Sequence, residues 1–178
     1  NVCRAVRLSG PLNIPAIEQS LTEILRRHEI LRTTFPAVNG RPSQVVAQVL
    51  NLTVCRQDLR HLSYRDAGVE RALVEEFQRA FDLSRGPLLR TLLLELCDEE
   101  NILLLTTHHI VSDAWSLGIL FGEFVVLYDA YSGGKTSPLP ELPIQYADYA
   151  KWQREWLQGE ALNSQLSYWK EQLGNDSP

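Results

Sequence analysis

The sequence predicts an α/β fold in which helices pack against a sheet, and three patterns lead to this prediction. Two leucine-dense runs, 88–96 and 102–107, flank the polar turn 98–101, as expected for two buried strands joined as a hairpin. An apolar stripe with helical spacing precedes these runs, and the apolar run 114–131 follows them almost without a loop. The 178 residues, 44% of them hydrophobic, are enough to bury the core of one ordinary domain.

The first part of the chain is predicted to form a strand, a helix and two further short strands. Side chains alternate over residues 2–8, which favours a strand. Asn13 then precedes a helical stripe whose members fall on one face at spacings of three and four: Ile17, Leu21, Ile24, Leu25, His28 and Leu31. The short valine-rich segments 43–49 and 52–56 are typical of a hairpin or meander.

The remaining elements are predicted to be helices. Ser63 and Asp66 form a capping signal before a helix whose buried face is predicted to contain Val69, Leu73, Phe77 and Ala80. The long apolar segment after the second buried strand is apolar nearly all the way round, so we expect a helix packed between layers. Residues 132–143 contain two glycines and three prolines and are predicted to be an internal linker before closing helices over 145–157 and 161–173.

Composition and charge argue against several classes of protein. Seventeen basic and 22 acidic residues give a formal net charge of −5 without a basic cluster, so we expect no nucleic-acid partner. The three cysteines lack metal-ligand spacing, which predicts free thiols in a reducing, cytoplasmic compartment. The most apolar stretch, 115–128, is shorter than the ~20 residues that cross a bilayer, so we expect no membrane contact. Because the chain starts at Asn1 and contains no methionine, we expect it to be part of a longer protein.

The residues with the clearest catalytic potential lie between the second buried strand and the following helix. There the sequence brings together two adjacent imidazoles, His108 and His109, and the carboxylate of Asp113. Consecutive side chains of a strand point to opposite faces, so we expect one histidine to be catalytic and the other structural. A neutral imidazole can accept a proton from an amine or hydroxyl nucleophile at physiological pH.

The role of Asp113 is open on sequence grounds. It follows His109 by four positions, and after the turn it would either orient the imidazole or pair with a cation. Arg32 is the preferred cation and Arg27 the second choice. A zinc site is disfavoured because adjacent histidines diverge in a strand and no fourth ligand is close in sequence, so no metal is predicted.

Several segments together resemble the condensation domains of nonribosomal peptide synthetases. Residues 108–114 resemble the HHxxxDG motif of that family, residues 27–35 match its RHExLRTxF motif, and residues 146–152 look like its YxDYAxW motif. Residues 81–83 and 86–90 also agree with the family's sequences. The motifs follow the family's order and together span most of the chain.

This resemblance implies a chloramphenicol acetyltransferase-like lobe, a mixed and largely antiparallel sheet packed with helices, with residues 1–178 forming part of the N-terminal lobe. It implies an acyltransferase in which the acceptor aminoacyl amine attacks a donor acyl or peptidyl thioester and forms an amide bond. His109 would deprotonate or position the amine. His108 and Asp113 would maintain the geometry of the site, with Arg32 as the partner of Asp113. No cofactor is bound directly, because both substrates are carried on the phosphopantetheine arms of partner carrier-protein domains.

The resemblance further implies, as partners, adjacent synthetase domains and a C-terminal lobe that this chain lacks, so we expect the isolated chain to be inactive. Ala114 departs from the glycine of the motif, and a methyl group there could crowd a substrate arm. Ala114, Trp115 and Ser116 are therefore candidate substrate-channel residues. Two alternatives stay open: epimerisation or ester formation on the same scaffold, and a catalytically inactive module that docks carriers.

Overall fold

A computed structural model describes residues 1–48, 52–63 and 65–174, which form two compact units divided after Glu141. The described residues of the first unit confirm the α/β prediction, with strands and helices in the order β1 (Val2–Ser9), α1 (Ile14–Arg27), β2 (Thr33–Thr34), β3 (Ala37–Val38), β4 (Arg41–Pro42), β5 (Val45–Val46), β6 (Cys55–Asp58), α2 (Arg65–Gln78), β7 (Leu89–Cys97), β8 (Glu100–Thr107) and α3 (Ala114–Ser132).

The main sheet has four strands in the order β1-β8-β7-β6 and contains the predicted hairpin at its centre. β7 and β8 are antiparallel, with Leu89 opposite Thr107. β1 is also antiparallel to β8, with Val2 opposite Thr107 on its other side, whereas β6 runs parallel to β7. The sheet is therefore mixed and largely antiparallel.

The two central strands are covered on both faces. Leucines on one face pack in the core formed with α1 and α3: Leu89, Leu93, Leu103 and Leu105. The intervening residues pack in a second cluster with α2: Leu94, Leu96 and Ile102. Because side chains alternate between two buried faces, these strands carry apolar residues at nearly every position, which explains their leucine-dense sequences.

Helix α1 confirms most of the predicted apolar stripe. It starts with a cap in which Asn13 Oδ1 accepts a hydrogen bond from the Ala16 amide at 3.1 Å. Its buried face includes Ile17, Leu21, Ile24 and Leu25. The predicted extension through His28 is wrong, because the helix ends at that residue, and a 3₁₀ helix, Glu29–Arg32, then brings the buried Leu31 into the core.

The two valine-rich segments do not form the hairpin or meander predicted for 43–49 and 52–56. β5 pairs with β2, and β6 pairs with β7, so neither is the partner of the other. Val49 lies outside the described residues. Composition predicts the strands but cannot name their partners, because strand propensity reports a fit to a pleated surface and not a pairing.

Helix α2 confirms its predicted buried face only in part: Val69 packs against the second cluster and Leu73 is half-buried, but the fully buried residues are others. Gly68 and Ala72 are its buried residues, whereas Phe77 is 55% exposed and Ala80 lies beyond the end of the helix. A Cβ at position 68 would lie 2.7 Å from Leu62 Cδ1. The helix therefore approaches its neighbours through small residues, and a stripe of large apolar side chains does not mark its buried face.

Helix α3 has one covered face and one exposed face, so the prediction of burial on all sides is wrong for this chain. Its inner face enters the core through Leu117, Leu120, Phe121, Phe124 and Leu127. Its outer face, defined as Trp115, Ile119, Val125 and Val126, is exposed to solvent. The structure shows no helix or strand over 133–145, where most of the predicted linker 132–143 lies; its role as a linker stays a prediction.

The second unit contains α4 (Tyr146–Trp156) and α5 (Gly159–Leu173), close to the predicted closing helices. Neither helix contains a buried residue. Among the described residues, no helix combines the length and apolar character needed to span a membrane.

Candidate active site

Both histidines of the 108–113 segment lie in a short loop between β8 and α3. The strand ends at Thr107, so neither histidine belongs to the sheet. A hydrogen bond between Thr107 Oγ1 and Ser112 Oγ closes the loop at its base. Inside it, the Val111 amide donates to the His108 carbonyl at 3.0 Å. The result is a compact turn attached to the edge of a buried core.

His108 is the half-buried member of the pair and has several partners. Its amide donates to the Leu88 carbonyl at 3.1 Å, and its Nδ1 accepts from the Ile110 amide at 3.0 Å. Its ring contacts Phe81 edge to face, with centroids 6.1 Å apart. Burial holds the pKa of His108 below its usual value. Because Nδ1 accepts a hydrogen bond, the neutral ring carries its hydrogen on Nε2.

His109 is the exposed member of the pair. It lies at the turn of the loop, and no other described residue forms a hydrogen bond with its imidazole. The side chain is therefore open to solvent. The structure thus places the two adjacent imidazoles in different environments, as expected if one is structural and the other reactive.

Asp113 caps the N-terminus of α3. Its Oδ1 accepts from the Ser116 amide at 2.8 Å and from Ser116 Oγ at 2.7 Å, while Ser116 Oγ accepts from the Asp113 amide at 2.7 Å. These hydrogen bonds hold the pKa of Asp113 below its usual value. Asp113 therefore fixes the point where the loop becomes a helix.

The expected ion pair between Arg32 and Asp113 is not formed in the part of the chain that the structure describes. Arg32 Nη2 instead lies 3.1 Å from Glu29 Oε1, and Nη1 donates to the Ala47 carbonyl. The Asp113 carboxylate is engaged with Ser116. Each side chain thus has other partners, and the proposed role of Arg32 in site geometry stays a prediction.

A charge cluster that the sequence did not predict, with one buried and two half-buried members, joins α1 to α3. We call it the Glu123 cluster: Glu123, Arg27 and His28. The Glu123 oxygens lie 3.1 Å from Arg27 Nε and Nη2, and 2.9 Å from His28 Nε2. Arg27 Nη1 also donates to the Pro140 carbonyl at 2.6 Å. The second-choice partner for Asp113, Arg27, is therefore engaged elsewhere.

Burial and hydrogen bonding act in opposite directions on the carboxylate of this cluster. Burial opposes ionisation of Glu123, but the hydrogen bonds from Arg27 and His28 outweigh it and hold the pKa of Glu123 below its usual value. The same carboxylate raises the pKa of Arg27. The cue in the sequence was an acidic residue, Glu123, in the middle of a mostly apolar helix.

The candidate channel residues form the first turn of α3. Among the described residues, Asn39 is the one non-glycine with a positive φ, so the backbone at Ala114 is unstrained. Trp115 is 82% exposed. Ser116 takes part in the cap and borders an apolar groove of about 110 Å³ between the 3₁₀ helix and α3. A role in a substrate channel stays a prediction for all three.

The described residues include no group of three or more histidines, cysteines or acids placed to hold a metal.

The third motif-like segment, residues 146–152, lies in the second unit. There the Gln145 amide donates to Asp148 Oδ2 at 2.9 Å, and this cap begins α4. Along α4, the ring centroids of Tyr146 and Tyr149 are 6.0 Å apart, and those of Tyr149 and Trp152 are 5.7 Å apart. This segment supplies a cap and an aromatic stripe.

Known sequences resemble this chain over its whole length. The sequence profile of the family described as "Condensation domain" matches residues 1–178. The chain is 47% identical over its whole length to part of a linear gramicidin synthase protein of Brevibacillus parabrevis, and it covers 2% of that protein. It is 44% identical, again over its whole length, to phosphinothricin tripeptide synthetase PhsC of Streptomyces viridochromogenes, of which it covers 17%.

Solved structures share the fold. The X-domain from teicoplanin biosynthesis matches with a TM-score of 0.86 at 30% identity, over 99% of this chain and 39% of that chain. The starter condensation domain of rhizomide synthetase RzmA matches with a TM-score of 0.87 at 16% identity, over 98% of this chain and 42% of that chain. The 178 residues therefore span about two fifths of these solved chains.

Proposed function

The chain belongs to the condensation domain family of nonribosomal peptide synthetases, and from this premise we propose that it supplies the proton-accepting histidine for amide formation between two carrier-bound thioesters. The acceptor amine attacks the donor thioester carbon, and His109 accepts or positions the proton that the amine loses. The carbon–sulfur bond then breaks, and the donor's phosphopantetheine thiolate leaves and takes up a proton. No metal and no directly bound cofactor enters this scheme.

The exposure of His109 at the tip of a well-anchored loop carries the proposal. A general base must come within hydrogen-bond reach of the proton it removes. His108 has its backbone amide, its carbonyl and one ring nitrogen engaged within the fold, whereas the His109 ring is open to solvent. His109 thus has the access that a base needs, and His108 and Asp113 hold the loop that presents it.

The proposal requires partners beyond these residues. Donor and acceptor arrive on carrier-protein domains, and the second lobe and neighbouring synthetase domains complete the site, in the cytoplasm. Multidomain relatives far longer than this chain support that organisation. We therefore expect the isolated 178 residues to bind no substrate productively and to transfer no acyl group.

The test is a single-turnover assay of the complete condensation domain with loaded donor and acceptor carriers. His109→Ala is expected to lower the rate of amide formation by about 10²- to 10⁴-fold, the usual contribution of a general base. His61→Ala is the matched control, because His61 is an exposed histidine in a turn before α2 and is expected to keep the wild-type rate. A normal rate for His109→Ala would remove it as the base.

A second candidate, a non-catalytic docking module, is favoured by the similarity to the X-domain, whose solved complex contains OxyB. Ala114, which stands where the motif has glycine, also supports the docking module. The discriminating variant is Ala114→Gly. If wild type forms no amide while Ala114→Gly does, the methyl group blocks the substrate arm and docking is the better account; equal rates support catalysis by the wild type.

A further inference from the structure

The ring of Phe81 contacts both a clamped guanidinium and the half-buried histidine of the active-site loop. The guanidinium carbon of Arg90 lies 3.7 Å from the centroid of the Phe81 ring. The His108 ring also meets the Phe81 ring edge to face, with an interplanar angle of 88°. Both geometries are favourable for an aromatic ring.

Arg90 is held firmly enough to act as a support. Its Nε pairs with Glu76 of α2, and its Nη2 donates to the Arg79 carbonyl at 2.9 Å. Its Nη1 donates to the Ala80 carbonyl at 3.3 Å, and its side chain is only 15% exposed. Arg90 lies on β7, and contacts from α2 and from the segment after α2 fix its guanidinium against the Phe81 ring.

His108, in turn, organises the loop that presents His109. Its Nδ1 accepts the Ile110 amide, and its carbonyl accepts the Val111 amide. If the His108 ring rotates, Nδ1 leaves the Ile110 amide without a partner and the turn loosens on both sides of His109. A misplacement of about 1 Å at a reacting group can cost about 10²-fold in rate.

We propose that Phe81 is a positioning residue for His109: supported by Arg90, its ring holds the His108 imidazole in the orientation that closes the loop. The consequence for catalysis rests on the function proposed above, whereas the consequence for the His108 ring does not. The burial that lowers the pKa of His108 supports this arrangement, because Phe81 supplies part of the apolar surround.

The first measurement is the tautomer of His108, observed by ¹⁵N NMR of the complete condensation domain with labelled histidine. The His108 signals are those that vanish in His108→Asn. Wild type is expected to show one neutral tautomer with hydrogen on Nε2. Phe81→Leu is expected to show a mixture of tautomers, Phe81→Tyr to keep the single tautomer, and Arg90→Gln to shift towards the mixture without opening a cavity beside the ring.

The second measurement is the single-turnover rate of the same variants. Phe81→Leu is expected to lower the rate by between about 10- and 100-fold at unchanged carrier affinity, and Phe81→Tyr to restore it. Phe77→Leu is the matched control, because the Phe77 ring is 55% exposed and has no described contact with a histidine. It is expected to change neither the tautomer nor the rate.

The two measurements separate the possible failures. A single His108 tautomer in Phe81→Leu overturns the proposal, and so does a mixed tautomer with a wild-type rate. If the wild-type domain forms no amide at all, the proposed function fails. The NMR comparison then still decides whether Phe81 holds His108, because it needs no turnover.

Discussion

Two identical side chains at adjacent positions lie in different environments. His108 faces Phe81 and has a ring nitrogen engaged by the Ile110 amide, so its burial favours a fixed neutral ring. His109 is exposed one residue later, after the strand has ended. The contrast follows from the turn, because in a continuing strand the two rings would point to opposite faces of a covered sheet.

Asp113 is expected to act at the residue scale through the helix start. Asp113→Ala removes the acceptor for the Ser116 amide and hydroxyl and should lower the melting temperature by roughly a few degrees. Asp113→Ser keeps an oxygen at the cap and should restore most of the loss. Asp129→Asn, near the other end of α3, removes a carboxylate without removing a cap and should cause no comparable loss. Thermal unfolding measures all three.

The same carboxylate predicts a pH dependence of stability. The pKa of Asp113 is lowered from its ordinary 3.8 by the bonds to Ser116, so its ionised form stabilises the fold above that value. This contribution is lost as the pH falls through the lowered pKa. Urea unfolding between about pH 5 and pH 2 should show a smaller loss of stability in Asp113→Ser than in wild type. An identical pH profile would contradict the assignment of the cap.

At the scale of elements, the Glu123 cluster fastens α1 to α3. Arg27 is 3% exposed, so Glu123→Ala leaves a buried guanidinium without its carboxylate and should cost about 3–5 kcal/mol of stability. Glu123→Gln keeps an acceptor for part of the network and should cost less. Urea unfolding gives both values.

A neighbouring ion pair provides the control for that experiment. Glu141 pairs with Arg26 at 2.6 Å, but its side chain is 74% exposed. Glu141→Gln should therefore change stability very little, since solvent screens an exposed pair. If Glu141→Gln and Glu123→Ala had equal effects, burial would not be what gives the Glu123 cluster its importance.

The sequence is sufficient for elements whose signal is local. Leucine runs, caps and helical spacing predict the β7–β8 hairpin, the stripe on α1 and the extent of α3. The sequence is insufficient where an element packs against a partner that is distant in the chain. Nothing local distinguishes β6 pairing with β7 from β6 pairing with β5, and the small residues of α2 carry no apolar signature.

The site follows the same rule. The resemblance leads to His108, His109 and Asp113, and the structure gathers these in one loop. The pairing expected between Asp113 and Arg32 is not formed among the described residues, since charge complementarity alone cannot choose among several acids and bases. The sequence places Glu123 in a mostly apolar helix but does not identify its partners, because Arg27 and His28 lie almost a hundred residues earlier, at the end of α1.

At the scale of the whole molecule, the outer face of α3 should govern how the isolated 178-residue chain behaves. Trp115 is 82% exposed and Val125 64% exposed on that face. A group of large exposed apolar side chains on one helix promotes association. The isolated chain should bind hydrophobic dyes and self-associate as its concentration rises, as measured by light scattering.

Polar substitutions on that face should reduce the association. Ile119→Gln with Val125→Gln is expected to lower the scattering at equal concentration. Val74→Gln is the control, because Val74 is an apolar side chain 47% exposed on α2, away from the outer face of α3. Equal improvement from both would mean that general hydrophilicity, and not this helix face, controls the association.

The pairing of β1 with β8 determines when the sheet can be completed during protein synthesis. Val2 and Thr107, which face each other in the sheet, are 105 residues apart in the chain. At a synthesis rate of about 5–20 residues per second, β8 is synthesised roughly 5–20 s after β1. β1 can therefore pair with β8 only after residues 100–107 have been made, whereas the residues of α1 and α2 are complete earlier.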